Sequence, residues 1–432
     1  MTSVVKDYFW YYKQMDNTSA YILSLADRCV KCGLCLPQCP TYMLAANENE
    51  SPRGRIALIQ GWLTGDLSPT KILTQHLDQC LLCRRCERVC PSQVSYGEIM
   101  DKSKALLRKE TKNNFSIQKF LSNGSLKLLL NKKLSEKFIV TLRFIQKSGL
   151  LFIAKKSGLL RTFGLQRLSS FLPKLDAPIK TKGFYPAQEA LTINKNVALF
   201  TGCLSKQLDP KTVTASIKLL NLLGYGVYVP EQQVCCGALH LHEGNTEQTV
   251  NFAKSNVATF NQQDNIVAIV SLVNGCTSQL REYSKLGITE NFNPEVKDII
   301  EFLAQTEISN KLKFKALNKK VALQVPCSLQ NVLRAEDNLM TLLQLIPDVK
   351  LPPEAIYNQC CGAAGSYFMH FPQLSDQLKD IAVEKLKKSN PDLIISSNLG
   401  CALQLKSGLE QGKSHIDVIH PVLLLEQQLI AH

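Results

Sequence analysis

The sequence predicts a multidomain chain: an α-helical, cysteine-dense N-terminal domain, a basic helical connector, and two repeated α/β modules with parallel sheets. Three observations carry this. One cysteine motif occurs at Cys29–Cys39 and again at Cys80–Cys90. Residues 102–182 hold 19 lysines and arginines against only Glu110, Glu136 and Asp176. From Asn196 onward, strand-like and cysteine-bearing segments return 124 or 125 positions later. The expected boundaries are 1–101, 102–194, 195–318 and 319–432, within reach of a 432-residue chain.

In the N-terminal domain, Cys29, Cys32, Cys35 and Cys39 precede Pro40, and Cys80, Cys83, Cys86 and Cys90 precede Pro91. C-x2-C-x2-C-x3-C-P is therefore written twice. A 4Fe–4S cube places its irons at tetrahedral corners, and each iron takes one thiolate. Two residues between ligands let a tight loop present three sulfurs to one cube. The fourth cysteine, stiffened by its proline, swings to the neighbouring cube. The motif assigns Cys29, Cys32, Cys35 and Cys90 to one cluster, and Cys80, Cys83, Cys86 and Cys39 to the other, in a ferredoxin-like domain. Zinc closes with four ligands, usually from separated C-x2-C pairs, and has no use for a third cysteine at the same spacing.

Before and between the motifs the signals are local. Residues 1–28 read as a lead-in helix with Tyr8, Phe9, Trp10, Tyr11 and Tyr12 as an aromatic knot packing on the cluster domain. Ser51-Pro52-Arg53-Gly54-Arg55 leads into Ile56, Leu58, Ile59 and Trp62, and Pro52 opens a helix where its missing N–H costs nothing. Arg53 and Arg55 read equally as donors to a cluster sulfur or a partner's carboxylate and as a solvated helix start.

The composition sets bounds. An apolar content of 45% permits ordinary buried cores. Lys6, Asp7, Lys13 and Asp16 interrupt the N-terminus and leave no signal-peptide run, so a reducing, cytoplasmic compartment is expected for the 16 cysteines. No uncharged apolar run is long enough to span a bilayer. The basic block concentrates the net charge of +14 on one segment. Phe138, Ile139, Val140, Leu142, Phe144 and Ile145 lie there among Lys137, Arg143 and Lys147, before Gly149 and Gly158 break the pattern. The readings are an amphipathic segment drawn to an anionic membrane face, a helical connector with a solvated basic face, or a surface that docks another subunit. No nucleic-acid partner is expected.

The C-terminal half is a duplication. Val197-Ala198-Leu199 leads to Cys203 as Val321-Ala322-Leu323 leads to Cys327. Cys235-Cys236-Gly237 returns as Cys360-Cys361-Gly362, and Cys276 as Cys401. Each copy reads as strand, leucine-rich helix (Leu219, Leu220, Leu222 and Leu223 in the first), strand, Cys-Cys-Gly loop, helix and strand, the last strands being Ile266–Val273 and Leu393–Ser397. That alternation makes a parallel sheet, and open α/β sheets gather ligands at the carboxyl ends of their strands, where Cys203, Cys276, Cys327 and Cys401 fall. Gly202, Gly275 and Gly400 are expected to allow tight turns before three of them. Each copy thus brings four thiols together: Cys203, Cys235, Cys236 and Cys276, or Cys327, Cys360, Cys361 and Cys401. Vicinal cysteines make strained disulfides and suit a metal or cluster better. His240 and His242 follow the first loop, as ligands, proton donors or ordinary polar residues.

With these motifs on the page, the chain resembles the glycolate oxidase iron–sulfur subunit family along nearly its whole length. The resemblance rests on the two C-x2-C-x2-C-x3-C-P motifs, Pro52-Arg53-Gly54-Arg55-Ile56 between them, and the two Cys-Cys-Gly modules. It implies two 4Fe–4S clusters on the eight N-terminal cysteines. It also implies an FAD-containing flavoprotein partner that oxidises glycolate, and electron delivery towards a quinone or cytochrome of the respiratory chain. The modules also look like those of heterodisulfide reductases, whose fuller motif ends C-x-x-C. Gln279 and Gln404 stand at that last position here.

The leading reading is therefore an electron-transfer subunit of a glycolate-oxidising complex, inactive on glycolate by itself. No G-x-G-x-x-G follows a strand, Gly224-Tyr225-Gly226 lacks the third glycine, and no flavin is expected on this chain. The alternatives are a Cys-Cys-Gly reductase subunit of a lactate, glycerol-3-phosphate or heterodisulfide system, and a non-catalytic assembly protein with zinc in the repeats.

Overall fold

The computed structural model of the chain describes residues 16–110, 132–148, 150, 157, 175–177, 179, 183–187, 195–263 and 265–430. The chain forms two compact units, residues 1–114 with 239–246 and residues 115–238 with 247–432. The expected aromatic knot at Tyr8–Tyr12 and the glycines Gly149 and Gly158 lie outside the described residues. Within the basic connector, Lys132–Lys147 is a helix on which Val140 and Phe144 are exposed.

The first unit is helical. Helix α1 (Asn17–Ala26) starts where Asp16 accepts the backbone N–H groups of Thr18 and Ser19 at 2.7 and 3.0 Å, an N-cap that satisfies two orphan donors. Helix α2 (Pro52–Leu63) opens with Pro52 at its first turn and Ser51 Oγ accepting from Gly54 N at 2.9 Å. Helix α3 (Lys71–Asp78) is capped by Thr70. Helix α4 (Tyr96–Glu110) runs straight through residue 101, where a boundary was expected. Ile22 and Leu23 of α1, Ile59 and Trp62 of α2, Leu77 of α3, and Ile99 and Met100 of α4 share one core. Residues 239–246 close this unit. His242 Nδ1 sits 3.1 Å from Asp101 Oδ1, and Arg108 donates to the Glu243 carbonyl at 3.1 Å. Gly244 (φ +76°) comes so close that a Cβ there would lie 2.6 Å from the Lys104 carbonyl oxygen.

The second unit carries two sheets. The first runs β1 (Phe184–Tyr185), β3 (Tyr225–Tyr228), β2 (Lys195–Phe200), β4 (Ile266–Ser271), β5 (Glu295–Asp298). All its pairings are parallel except β1 on β3, so this sheet is mixed. The second runs β7 (Ile356–Tyr357), β6 (Val321–Gln324), β8 (Leu393–Ser396), β9 (Asp417–Ile419), all parallel. Without β1 the two orders are the same, which is the duplication seen in three dimensions.

Helices α5 (Pro210–Leu222), α7 (Ile299–Ala304), α8 (Glu336–Gln344) and α10 (Pro421–Gln428) pack between the copies; α6 (Asn274–Arg281) and α9 (Leu399–Gln411) follow β4 and β8. Leu219, Leu220, Ile300, Leu303, Leu339, Leu342, Val422 and Leu425 join both sheets in one hydrophobic core. Each such buried side chain contributes roughly 1.5–3 kcal/mol of transfer free energy, so the copies are held as one body.

One expectation about turns is corrected. Of the three glycines preceding module cysteines, only Gly202 has positive φ, at +68°. Gly275 and Gly400 lie inside the first turns of α6 and α9. The chain enters those helices immediately after the strand, so Cys276 and Cys401 sit on helical backbone and no left-handed residue is required.

Candidate metal centres

The two N-terminal cysteine loops share one backbone shape. Positive φ falls at the second and fourth residues after the first cysteine in each: Lys31 and Gly33 (54° and 88°), Leu82 and Arg84 (49° and 54°). Left-handed residues at both places wind the chain tightly, and in the second loop Cys80, Cys83 and Cys86 line one cavity. Gly33 suits its place, with φ at +88° and a Cβ there set 2.9 Å from Arg53 Nη1, the movable end of that side chain. Arg84 tolerates the conformation with its guanidinium held by Glu87 at 2.7 and 3.0 Å. The loops differ in setting: Val30 is 70% exposed, while its counterpart Leu81 is 8% exposed.

One cavity brings cysteines of both motifs together. Cys39 lines it together with Cys80, Cys83 and Cys86, and Thr41, Arg55, Arg84 and Tyr96 complete the wall. Cys39 reaches it as the residue that starts helix Pro40–Ala45, with Pro40 at the first turn. Burial pushes the Cys86 thiol well up, with Cys83, Cys80 and Cys39 adding to the effect. Burial also raises Cys35, beside Cys29 and Cys39. Thiols crowded in this way are stabilised as thiolates by metal. Cys80 Sγ accepts from Leu82 N at 3.4 Å and from the Tyr96 hydroxyl at 3.8 Å.

Arg55 belongs to this wall and not to solvent, contrary to the solvated helix start weighed above; its side chain is 1% exposed. Nε donates to the His76 carbonyl (2.7 Å), Nη1 to the Glu50 carbonyl (2.6 Å) and Thr41 Oγ1 (3.0 Å), and Nη2 to the Glu50 carboxylate. Burial works against its charge, but Tyr96, Cys80, Cys39 and Glu50 outweigh that and raise its pKa. His76 Nδ1 lies 2.5 Å from Glu50 Oε1, and Gln79, with its amide turned, donates to both Glu50 oxygens. Sequence reading noticed the arginine but not Glu50, His76 or Gln79.

In the α/β modules the cysteines gather as their positions after the strands imply. A Cβ on Gly202 would lie 3.5 Å from Cys276 Sγ, so those loops touch. The Cys203 thiol is pushed well up, first by a hydrogen bond with Cys235, then by burial and the neighbouring Cys276. Hydrogen bonds with Cys235 and Cys276 do the same to Cys236. In the second copy Cys361 Sγ and Cys401 Sγ share a hydrogen bond at 2.9 Å, which lowers the Cys361 pKa and raises that of Cys401, with Cys327 and Cys360 close by.

The two Cys-Cys-Gly loops are built alike. Gly237 N donates to Cys235 Sγ and Gly362 N to Cys360 Sγ, both at 3.4 Å. Thr249 holds the Gly237 carbonyl and Ser375 the Gly362 carbonyl. Tyrosines clamp the loops from outside: Tyr283 donates to the Cys236 carbonyl and Tyr357 to the Cys360 carbonyl. At the positions where a further cysteine would extend the motif, buried Gln404 donates to Ser375 Oγ, whereas Gln279 Nε2 finds no partner among the described residues. His240 is buried, and His242 faces Asp101 within the helical unit that residues 239–246 close.

Among the described residues no three Cys, His, Asp or Glu side chains converge tightly enough to hold a single bare ion. Thiols spaced around a cavity, as Cys39, Cys80, Cys83 and Cys86 are, instead suit a cube whose irons are spread over four corners. The donor set fits a cluster.

Fold and sites together define an iron–sulfur protein: residues 25–94 match the 4Fe-4S dicluster domain, and residues 197–281 and 321–406 each match the cysteine-rich domain. Among curated proteins the chain is 31% identical to the probable glycolate oxidase iron-sulfur subunit of Bacillus subtilis (strain 168), over 89% of both chains. It is 28% identical to the glycolate oxidase iron-sulfur subunit of Escherichia coli (strain K12), over 94% of this chain and 95% of that one. Lactate utilization protein A of Bacillus pumilus (strain SAFR-032) is 26% identical over 52% of this chain. The chain belongs to the glycolate oxidase iron–sulfur subunit family. No helix among the described residues is long and apolar enough to cross a membrane.

Proposed function

We propose that this chain relays electrons within a glycolate-oxidising complex, from an FAD-containing flavoprotein subunit towards a quinone or cytochrome acceptor. The observation that carries the reading is the shared cavity of Cys39 with Cys80, Cys83 and Cys86, since only a two-cluster relay needs the fourth cysteine of one motif beside the first three of the other. In this reading Cys29, Cys32, Cys35 and Cys90 hold the second cluster. A 4Fe–4S cube bound at either place accepts and passes on one electron at a time. Oxidation of a 2-hydroxy acid releases a pair, so a flavin upstream must split it.

The chain's own residues do the rest. The cysteine loops fix the sulfurs, Leu82 N and the Tyr96 hydroxyl stabilise Cys80 as a thiolate, and the apolar core shared by α1 to α4 packs against the cysteine loops. We further propose that Cys203, Cys235, Cys236 and Cys276, or Cys327, Cys360, Cys361 and Cys401, hold an additional cluster or metal. The domain bounds, a cytoplasmic location, and peripheral membrane contact through the basic segment 102–182 belong to the same reading.

The test is anaerobic reconstitution followed by iron analysis and mixing with the co-purified flavoprotein. About eight irons per chain in the N-terminal unit and glycolate-dependent bleaching of the clusters are expected. Stoichiometric zinc with no iron would overturn the relay, and glycolate-dependent dye reduction by the flavin-free chain would favour a Cys-Cys-Gly reductase instead.

A further inference from the structure

We propose that Arg55 sets the reduction potential of the cluster held by Cys39, Cys80, Cys83 and Cys86, making it the more readily reduced of the two N-terminal clusters. The inference rests on the ligand assignment of the preceding section and concerns which of the two sites keeps the electron.

Reduction adds one negative charge to a group already surrounded by four thiolates. A fixed positive charge beside it stabilises the reduced form, and far more so where water is excluded. Arg55 is placed for this. Arg55 lines the cavity, while Glu50, which neutralises it, does not. Three groups hold the Glu50 carboxylate: Arg55 Nη2, His76 Nδ1 and the turned amide of Gln79. The pair is thus an oriented dipole with its positive end towards the cysteines. The same guanidinium nitrogen that bonds Glu50's carbonyl donates to Thr41 Oγ1, which lies 3.3 Å from Cys39 Sγ. Four hydrogen bonds on one side chain leave the charge no freedom to move away, so it is already in position when the electron arrives.

The arginine that reaches the first loop is less enclosed. Arg53, two residues earlier, leaves α2 on a different side, as i and i+2 on a helix must. It donates to the Lys31 carbonyl (3.0 Å) and to Glu48, but its side chain is 31% exposed and Glu48 is 46% exposed. Water and salt screen that pair. Two arginines in one Pro-Arg-Gly-Arg segment therefore act on two cysteine loops with unequal strength.

The experiment is an EPR-monitored redox titration of the reconstituted full chain, with mediator dyes and dithionite as reductant. Cys83→Ser identifies the signal of the inner cluster. Arg55→Gln is expected to lower that cluster's midpoint by at least tenfold in its reduction equilibrium, 59 mV for one electron, and to leave the outer cluster within twofold. Glu50→Gln keeps the arginine, removes the opposing charge, and is expected to move the same midpoint the other way. Arg53→Gln is expected to change neither by more than twofold. Unchanged midpoints in an eight-iron Arg55→Gln protein would overturn the role of Arg55 alone, whereas wild-type chain without two clusters would overturn the ligand reading beneath it. If Arg55→Gln does not assemble, Glu50→Gln decides: no upward shift there overturns the proposal.

Discussion

The two α/β copies solve one structural problem with chemically opposite residues. Ser271 at the end of β4 pairs in register with Asp298, and Asp298 then caps α7 by accepting from Ile300 N at 3.0 Å. The same place in the second copy is His420, whose Nδ1 caps α10 by accepting from Val422 N at 3.2 Å. Both are buried. Asp298 also accepts from Asn274 Nδ2 (2.7 Å) and Thr277 Oγ1 (2.9 Å), while His420 Nε2 lacks a partner of good geometry among the described residues. Burial penalises whichever form is charged, so it raises Asp298 to about 6 and lowers His420 to about 4. Duplication preserved the geometry of the cap and let its charge diverge. Hydrogen bonds crossing from one copy to the other, such as Ser397 Oγ to Asn274 Oδ1 at 2.9 Å, mark where the copies now depend on each other.

The largest expected effect concerns whether the copies still share a chemical role. Replacing Cys203, Cys235, Cys236 and Cys276 together with alanine, and separately their four counterparts in the second copy, should remove all metal beyond the eight N-terminal irons from at least one copy. Metal analysis and visible absorption of each reconstituted variant read this. Full metal content and electron-transfer rate after replacing all eight would leave these cysteines a purely structural role.

Next comes the pH dependence of the two caps. A raised carboxylate binds its proton in the folded state first, so Asp298 contributes stability at acid pH that is lost as pH rises from about 4 to about 6. A depressed imidazole does the reverse: His420 contributes stability above its ordinary range, lost as pH falls from 6.5 to about 4. Each shift corresponds to about 3 kcal/mol, and in the shared window the two slopes nearly cancel. Asp298→Asn should therefore give a chain whose stability climbs by about 3 kcal/mol between pH 4 and 6.5, and His420→Asn one whose stability falls over nearly the same window. Urea unfolding across that range would show parallel, flat curves for both variants if the caps were not opposed.

A smaller difference separates the loop glycines. Gly237 and Gly362 both have strongly positive φ, 87° and 83°. A Cβ on Gly362 would lie 2.4 Å from the Ser375 backbone oxygen; on Gly237 its nearest neighbour would be the Thr249 methyl at 2.8 Å, a longer contact to a side chain. Gly362→Ala should cost on the order of 2–3 kcal/mol and Gly237→Ala about 1–2 kcal/mol. Denaturant titration of the two single variants would reverse that order if the loops were not fixed as described. Smallest is Ser397→Ala, which removes the hydrogen bond to Asn274 between copies and should cost about 1 kcal/mol, measured by the same titration.

Much of this was legible in the sequence. Spacing alone predicted that three cysteines of each N-terminal motif would face one site, and in the second motif Cys80, Cys83 and Cys86 do line one cavity. The 124- and 125-residue offsets determined that two like sheets would form, since strand order follows from the alternation of strands and helices. The proline after each motif foretold that Cys39 would leave its own loop, and the cavity it shares with Cys80, Cys83 and Cys86 follows that pattern. What the tertiary structure decided was environment. Whether Arg55 is solvated or buried depends on Glu50, His76 and Gln79, which reach it through the packing of α2 against α3. Gly275 and Gly400 looked like turn residues until the strands were seen to run directly into helices. Asp298 and His420 carry no motif, and their charges matter only because sheet and helix close over them. Backbone shape is set by near neighbours in the chain and can be read from spacing; burial and local charge are set by residues far apart in sequence, and only the folded chain brings those together.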